Sequence, residues 1–172
     1  YNEVNIFENG FLDEFLRAQT NLAICQANSA ACRAAQGAAG IPASGAGLPS
    51  GTIVQTANTF QNWGLAGQVP LTIFPRFFNF TNLITGSTSV ALTQHQHFAN
   101  ATFVSHLGNN NVGSIGVTLA NNNTYRSTRE NPLNLIPANF FVANPNALAS
   151  RLLTNDAMSN YHSLQMEVRR RF

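Results

Sequence analysis

The sequence contains no lysine, and its charged residues make up only 9 % of 172 positions, against roughly a quarter in ordinary soluble domains. All nine basic residues are therefore arginine, and three of them stand together at 169–171. A nucleic-acid-binding protein needs a continuous basic surface, and positive charges this few and this unevenly placed do not provide one. Nucleic acid is accordingly excluded as a partner.

Long apolar runs are missing as well. No stretch approaches the roughly 20 apolar residues of a membrane-spanning helix, and no basic segment followed by an apolar one marks a signal peptide. The chain starts at Tyr1 and stops at Phe172 within a regular alternating pattern. We therefore expect a piece of a longer protein, although 172 residues suffice for one domain with its own core.

Cysteine is scarce, and Cys25 and Cys32 are the only two. Seven residues of one continuous helix rise about 10 Å, which exceeds the ~7 Å between Cα atoms that a disulfide tolerates. The sequence favours a disulfide over two free thiols, and a disulfide requires the helix to break near Asn28 and Ser29. A bridge would imply an oxidising compartment. Further ligands at metal-binding spacing are missing, so we expect neither a metal nor a cofactor.

Residues 10–27 follow a helical hydrophobic pattern. Its apolar positions are Phe11, Phe15, Ala18 and Leu22, with Leu12, Leu16 and Ala23 widening the stripe. Asn9 is the expected N-cap. Asp13 and Glu14 are expected to be solvated charges in the first turn, within reach of Arg17. Paired carboxylates also occur in acid–base catalysis, but helix-start charges are the simpler interpretation.

Two shorter helices are predicted further along the chain. Apolar spacing places one within residues 98–107 and the next from Val112 onwards. His95 and His97 precede the first of these helices, and His106 lies inside it. A His-x-His pair can ligate a metal, but no carboxylate or cysteine stands nearby to complete a site, so polar histidines at a helix start are the preferred interpretation. No nucleophile–base set can be defended, and we expect no enzyme.

The most regular pattern in the chain is the alternation of residues 161–172. Successive strand side chains point to opposite faces, so the apolar face would carry Leu164, Met166, Val168 and Phe172. This pattern fits the half-buried strand of a soluble antiparallel sheet, and it equally fits a barrel strand whose apolar side chains face lipid. Weaker alternation over residues 1–7 predicts the end of another strand.

Three stretches carry a resemblance to a known family. Residues 5–15 read NIFENGFLDEF, residues 138–145 read ANFFVANP, and residues 159–171 read SNYHSLQMEVRRR. They resemble the barrel portion of Oar-like TonB-dependent outer-membrane receptors, whose N-terminal part carries a carboxypeptidase-regulatory-like domain. The resemblance implies a non-enzymatic fragment at the outer membrane, mostly on the extracellular side, where a surface loop captures a ligand or gates the pore.

The fold implied by the resemblance is an α+β fragment with much irregular structure. Residues 1–8 would be a strand end, residues 9–160 a long, partly helical extracellular loop, and residues 161–172 an incomplete strand of an outer-membrane β-barrel. Its partners would be outer-membrane lipid and an unknown extracellular ligand, with TonB engaged only through parts of the parent protein. The alternative is a secreted α+β binding or adhesion domain, in which the last strand pairs within a soluble sheet.

Overall fold

The computed structural model describes residues 6–47, 54–78, 95–122, 125, 136–137, 139–141 and 170. Its helices are α1 (Phe11–Ala27), α2 (Ser29–Ala38), α3 (Phe74–Phe77), α4 (Ala101–Gly108) and α5 (Val112–Asn121). Residues 95–98 form a further helical turn. α1 packs against α2 and α4, and α4 packs against α5.

The expected α+β fold is wrong for the described part of the chain, which is helical and contains no strand. Residues 6–8, expected to end a strand, form a bend and a turn instead. The backbone N–H of Leu12 donates to the carbonyl of Ile6 at 2.9 Å, so Ile6 closes the first turn of α1. An orphan amide at a helix start needs such a partner, and the alternation of residues 1–7 is too short to outweigh it.

The predicted terminal strand lies almost wholly outside the described residues. Its one described position, Arg170, is exposed and is not in a strand. The side chains predicted to face lipid also lie outside the described residues and stay a prediction: Leu164, Met166, Val168 and Phe172. Among the helices that the structure describes, none is at once long and apolar enough to cross a membrane.

α1 confirms the helix predicted over residues 10–27, and the four residues predicted for its inner face are all buried: Phe11, Phe15, Ala18 and Leu22. The N-cap is Gly10 rather than Asn9, because the chain enters the helix with a φ of 75°, which glycine adopts without strain. Asn9 still takes part in the helix start, since its Oδ1 accepts from the Phe11 N–H at 3.0 Å. Its Nδ2 donates to the carbonyl of Phe140 at 3.0 Å.

The core is dominated by aromatic rings that meet the inner face of α1. Phe78, at the end of α3, lies at its centre, with ring contacts to Phe60, Phe74, His97, Phe98, Phe103 and Tyr125. The helices predicted within residues 98–107 and from Val112 are confirmed as α4 and α5, and both contribute buried side chains to this core: Phe103, Leu107, Ile115 and Leu119.

Candidate functional site

The two cysteines lie where α1 gives way to α2. α1 ends at Ala27, Asn28 leaves the helical conformation with φ −115° and ψ 50°, and α2 begins at Ser29. This is the helix break that a bridge requires. It brings the Cα atoms of Cys25 and Cys32 to 5.3 Å and their sulfur atoms to disulfide distance, within the range that disulfides tolerate. Both cysteines are fully buried.

Replacing both cysteines with serine is expected to lower the free energy of unfolding by about 2–3 kcal/mol, because the bridge closes a short loop in the unfolded chain. Urea denaturation of the unreduced variant and the unreduced natural chain measures the difference. The natural chain kept reduced, with its thiols left unmodified, should match the double variant. Complete alkylation of both thiols in unreduced natural protein would show that no bridge forms.

Residues 54–73 lie against α1 and α2 without forming a helix, and side-chain amides of the two helices hold them there. Gln36 on α2 donates from Nε2 to the carbonyl of Thr56 at 2.7 Å, and its Oε1 accepts from the Thr56 N–H at 2.8 Å. We call this arrangement an amide clip: one side-chain amide paired with both backbone groups of one residue. Gln36 is fully buried and lies one turn after Cys32, so both face the core from one side of α2.

A second amide clip joins α1 to the same segment further along. Asn21 donates from Nδ2 to the carbonyl of Val69 at 2.9 Å, and its Oδ1 accepts from the Val69 N–H at 2.8 Å. The same Nδ2 reaches the carbonyl of Phe60 at 3.3 Å. Between these points the Oε1 of Gln68 accepts from the backbone N–H of Trp63 at 2.7 Å and of Leu65 at 3.2 Å. At these points the segment is thus fixed by neutral amides, whose burial costs less desolvation free energy than that of charged groups.

Changing Asn21 to aspartate is expected to lower the free energy of unfolding by about 2–3 kcal/mol. The aspartate carboxylate lacks the two N–H donors of the asparagine amide. It places an oxygen opposite the carbonyl oxygens of Phe60 and Val69, which repel it. The matched control is Gln26→Glu, which makes the same chemical change at an exposed position of α1, where the amide makes a single solvent-exposed hydrogen bond, to Asn58. Equal urea midpoints for Asn21→Asp and the control would show that the Asn21 clip does not contribute to the free energy of unfolding.

Glu14 is a third anchor of this segment, and the expectation that it is a solvated charge is wrong. The side chain is 2 % exposed, and its Oε1 accepts from the backbone N–H groups of Thr72, Ile73 and Phe74 at 2.7, 2.7 and 3.1 Å. Its Oε2 accepts from the Thr72 hydroxyl at 3.3 Å. Asp13, the neighbouring carboxylate, is exposed as expected. The amides that begin α3 take the place of solvent around Glu14, and the two carboxylates do not form a catalytic pair.

The candidate functional site is therefore the clipped segment, defined as residues 54–73 with the anchors Glu14, Asn21 and Gln36. Non-helical segments positioned by a rigid scaffold carry binding residues disproportionately often. No protein-family model, curated protein or solved structure matches this chain.

His95 and His97 sit in the helical turn 95–98, at a helix start as predicted, but they are buried rather than polar surface residues. His95 Nδ1 lies 3.2 Å from Gln61 Oε1, and its ring meets the edge of Trp63 with centroids 5.2 Å apart.

His97 Nδ1 lies 3.0 Å from the Tyr125 hydroxyl, and its ring stacks on Phe78. His106 lies on α4. In the described ranges no three metal-ligating side chains gather.

Burial sets the ionisation of both buried histidines. Desolvation lowers the pKa of His95 to about 4, and a hydrogen bond with the backbone of Val54 acts in the opposite direction with a smaller effect. Desolvation alone lowers the pKa of His97 to about 4. The hydroxyl that faces His97 is also affected, since burial raises the pKa of Tyr125 to about 12. All three groups are therefore neutral at neutral pH.

The anchors of the clipped segment were missed in the sequence although a signal for two of them was present. Glu14 and Asn21 occupy positions of the buried stripe of α1, three residues after Phe11 and Ala18 respectively. A polar residue at a core position of an amphipathic helix indicates a buried hydrogen-bonding partner. Leu16, in contrast, is 48 % exposed, so the stripe is displaced towards Glu14 and Asn21.

Proposed function

We propose that this chain is a non-enzymatic surface unit of an Oar-like TonB-dependent outer-membrane receptor, placed on the extracellular side, where it takes part in ligand capture or gating. The three stretches that resemble this family support the proposal. Contact with outer-membrane lipid would be made by residues 161–172, and coupling to TonB would belong to other parts of the parent protein. The described part of the unit is a helical body.

The fixed backbone of the clipped segment is the observation that supports a role in ligand capture. A surface that meets a ligand gains affinity when its backbone is already fixed before binding. Residues 54–73 are fixed in this way by Glu14, Asn21 and Gln36. Exposed positions such as Asn58 and Gly64 remain on this segment. The cysteine pair fits the same location, because disulfides persist outside the reducing cytosol.

A secreted binding or adhesion domain is the second candidate, as a helical rather than an α+β domain. It is favoured by the inner face of α1, which is covered by side chains of this same chain. Phe11 meets Phe74 and Phe141 with ring centroids 5.5 and 4.8 Å apart. A body with its own core needs no membrane in order to fold.

Surface labelling of the whole parent protein separates the two candidates. An epitope inserted between Ser44 and Gly45, both exposed, is read with an antibody on intact cells and in fractionated material. The receptor proposal expects labelled intact cells and epitope in the outer-membrane fraction, with a periplasmic marker left unlabelled. Epitope found only in the medium favours the secreted domain. Labelling that requires permeabilised cells contradicts both.

A further inference from the structure

The helical turn 95–98 and the clipped segment are joined by contacts that carry no charge. The Phe60 N–H donates to the carbonyl of Phe98 at 3.2 Å, and the two rings meet edge to face with centroids 5.1 Å apart. His95 adds its contact with Gln61 and its edge contact with Trp63. These interactions connect residues 59–63 to the turn. The amide clips of Gln36 and Asn21 hold the segment at Thr56 and Val69, and within residues 59–63 the Asn21 amide reaches only the carbonyl of Phe60, at the longer distance of 3.3 Å.

His95 is the member of this contact whose chemistry changes most in acid. It is fully buried, and with Gln61 Oε1 as acceptor the neutral ring carries its proton on Nδ1. Protonation adds a second N–H, at Nε2, and a positive charge. Within the described residues Nε2 has no hydrogen-bond partner, and neither has the buried indole N–H of Trp63 beside it. The imidazolium would therefore be a buried charge, which is costly in a folded protein, and the backbone of Val54, which favours the charged form, offsets only part of that cost.

None of the described groups that face His95 offers a compensating charge. From the clipped segment these groups are Gln61, Trp63 and the backbone of Val54. On its own turn the nearest titratable side chain is His97, which contacts Phe78 and Tyr125 instead. Two neutral imidazoles thus occupy one turn, and charging either one adds a cation to the same apolar region.

We propose that His95 is an acid-sensitive contact, and that protonation of its imidazole detaches residues 59–63 from the turn 95–98 while α1 stays folded. The detachment would uncover the middle of the segment that we assign to ligand capture. The inference does not depend on that function, since its test reads the detachment itself.

The size of the effect follows from the two ionisation states. A released histidine has a pKa near 6.5, whereas burial lowers the pKa of His95 to about 4. A lowered pKa favours the attached state above pH 6.5 and favours the detached state as pH falls from 6.5 towards 4. The ratio of detached to attached segment is therefore expected to rise by about 20-fold between pH 7 and pH 5.

Trp63 is the only tryptophan in the chain, so tryptophan fluorescence reports on the surroundings of this one ring. We expect its emission to shift to the red between pH 7 and pH 5. Hydrogen exchange of the Phe60 amide, corrected for its intrinsic pH dependence, should accelerate by about 20-fold. The amides in the middle of α1 should keep their protection over the same range.

Substitutions of three histidines show which side chain causes the acid response. His95→Gln should abolish the acid shift of both signals, whereas His97→Gln and the control His106→Gln, on α4, should retain it. If His95→Gln does not fold, His95→Asn, which can still donate to Gln61, takes its place, and the imidazole resonances of the natural chain show whether His95 titrates near pH 4. The proposal would be overturned if the acid shift of fluorescence and exchange persisted in the variants at residue 95. It would also be overturned if the amides of α1 exchanged faster by the same factor.

Discussion

Glu14→Ala is expected to lower the free energy of unfolding by roughly 3–4 kcal/mol. The carboxylate is the common acceptor for three backbone amides at residues 72–74. Hydrogen bonds to a charged group are stronger than those between neutral groups, and donors left unpaired near the core are costly. Glu14→Gln keeps one acceptor oxygen without the charge, and it should lose about 1–2 kcal/mol.

Urea denaturation followed by circular dichroism measures this difference. Asp13→Asn is the matched control, because it removes a carboxylate from the same helical turn at an exposed position, and its unfolding midpoint should stay close to that of the natural chain. Equal losses for Glu14→Ala and Asp13→Asn would mean that Glu14 acts only through the helix dipole. That result would contradict its role as an anchor of the clipped segment.

Phe78→Ala should lower the free energy of unfolding by about 3–5 kcal/mol, the usual cost of emptying a phenylalanine site in a core. Phe78 is fully buried, and its ring meets the rings of α3, of the turn 95–98 and of α4. The cavity would open where these three elements meet. Phe78→Leu keeps much of the volume and should lose markedly less.

The control for Phe78 is Phe7→Ala, which deletes the same ring at a position that is 73 % exposed. Thermal unfolding of the three variants and the natural chain gives the comparison. Phe7→Ala should leave the midpoint nearly unchanged. Should Phe78→Ala unfold at the same temperature as Phe7→Ala, the aromatic centre would not be the core of the described body.

The sequence predicted the helices that form around one continuous apolar stripe. The period that placed Phe11, Phe15 and Leu22 on one face also placed them in the core, because a helix fixes the direction of each side chain along its axis. The break at Asn28 followed from local geometry as well, since two cysteines seven residues apart meet only if the helix is interrupted.

Over residues 6–8 the expected strand end is wrong, because alternation is a weak signal over so short a stretch; residues 1–5 lie outside the described residues. Residues 6–8 instead close the first turn of α1, through the hydrogen bond from Leu12 to Ile6. A strand also needs a neighbour for its backbone groups, and a neighbour is a property of the fold rather than of the pattern. The predicted strand at 161–172 stays a prediction, because all of it except Arg170 lies outside the described residues.

By itself, then, the sequence determined which helix faces are apolar, where α1 breaks and how few charges the molecule carries. Only the tertiary structure decided whether the polar residues on those faces are buried and which groups they bond. Glu14 finds its amides 58 to 60 residues away, and Asn21 finds Val69 48 residues away. A side chain's local period shows that it points inwards, but whether a polar group there is solvated or buried depends on the segment that folds over it.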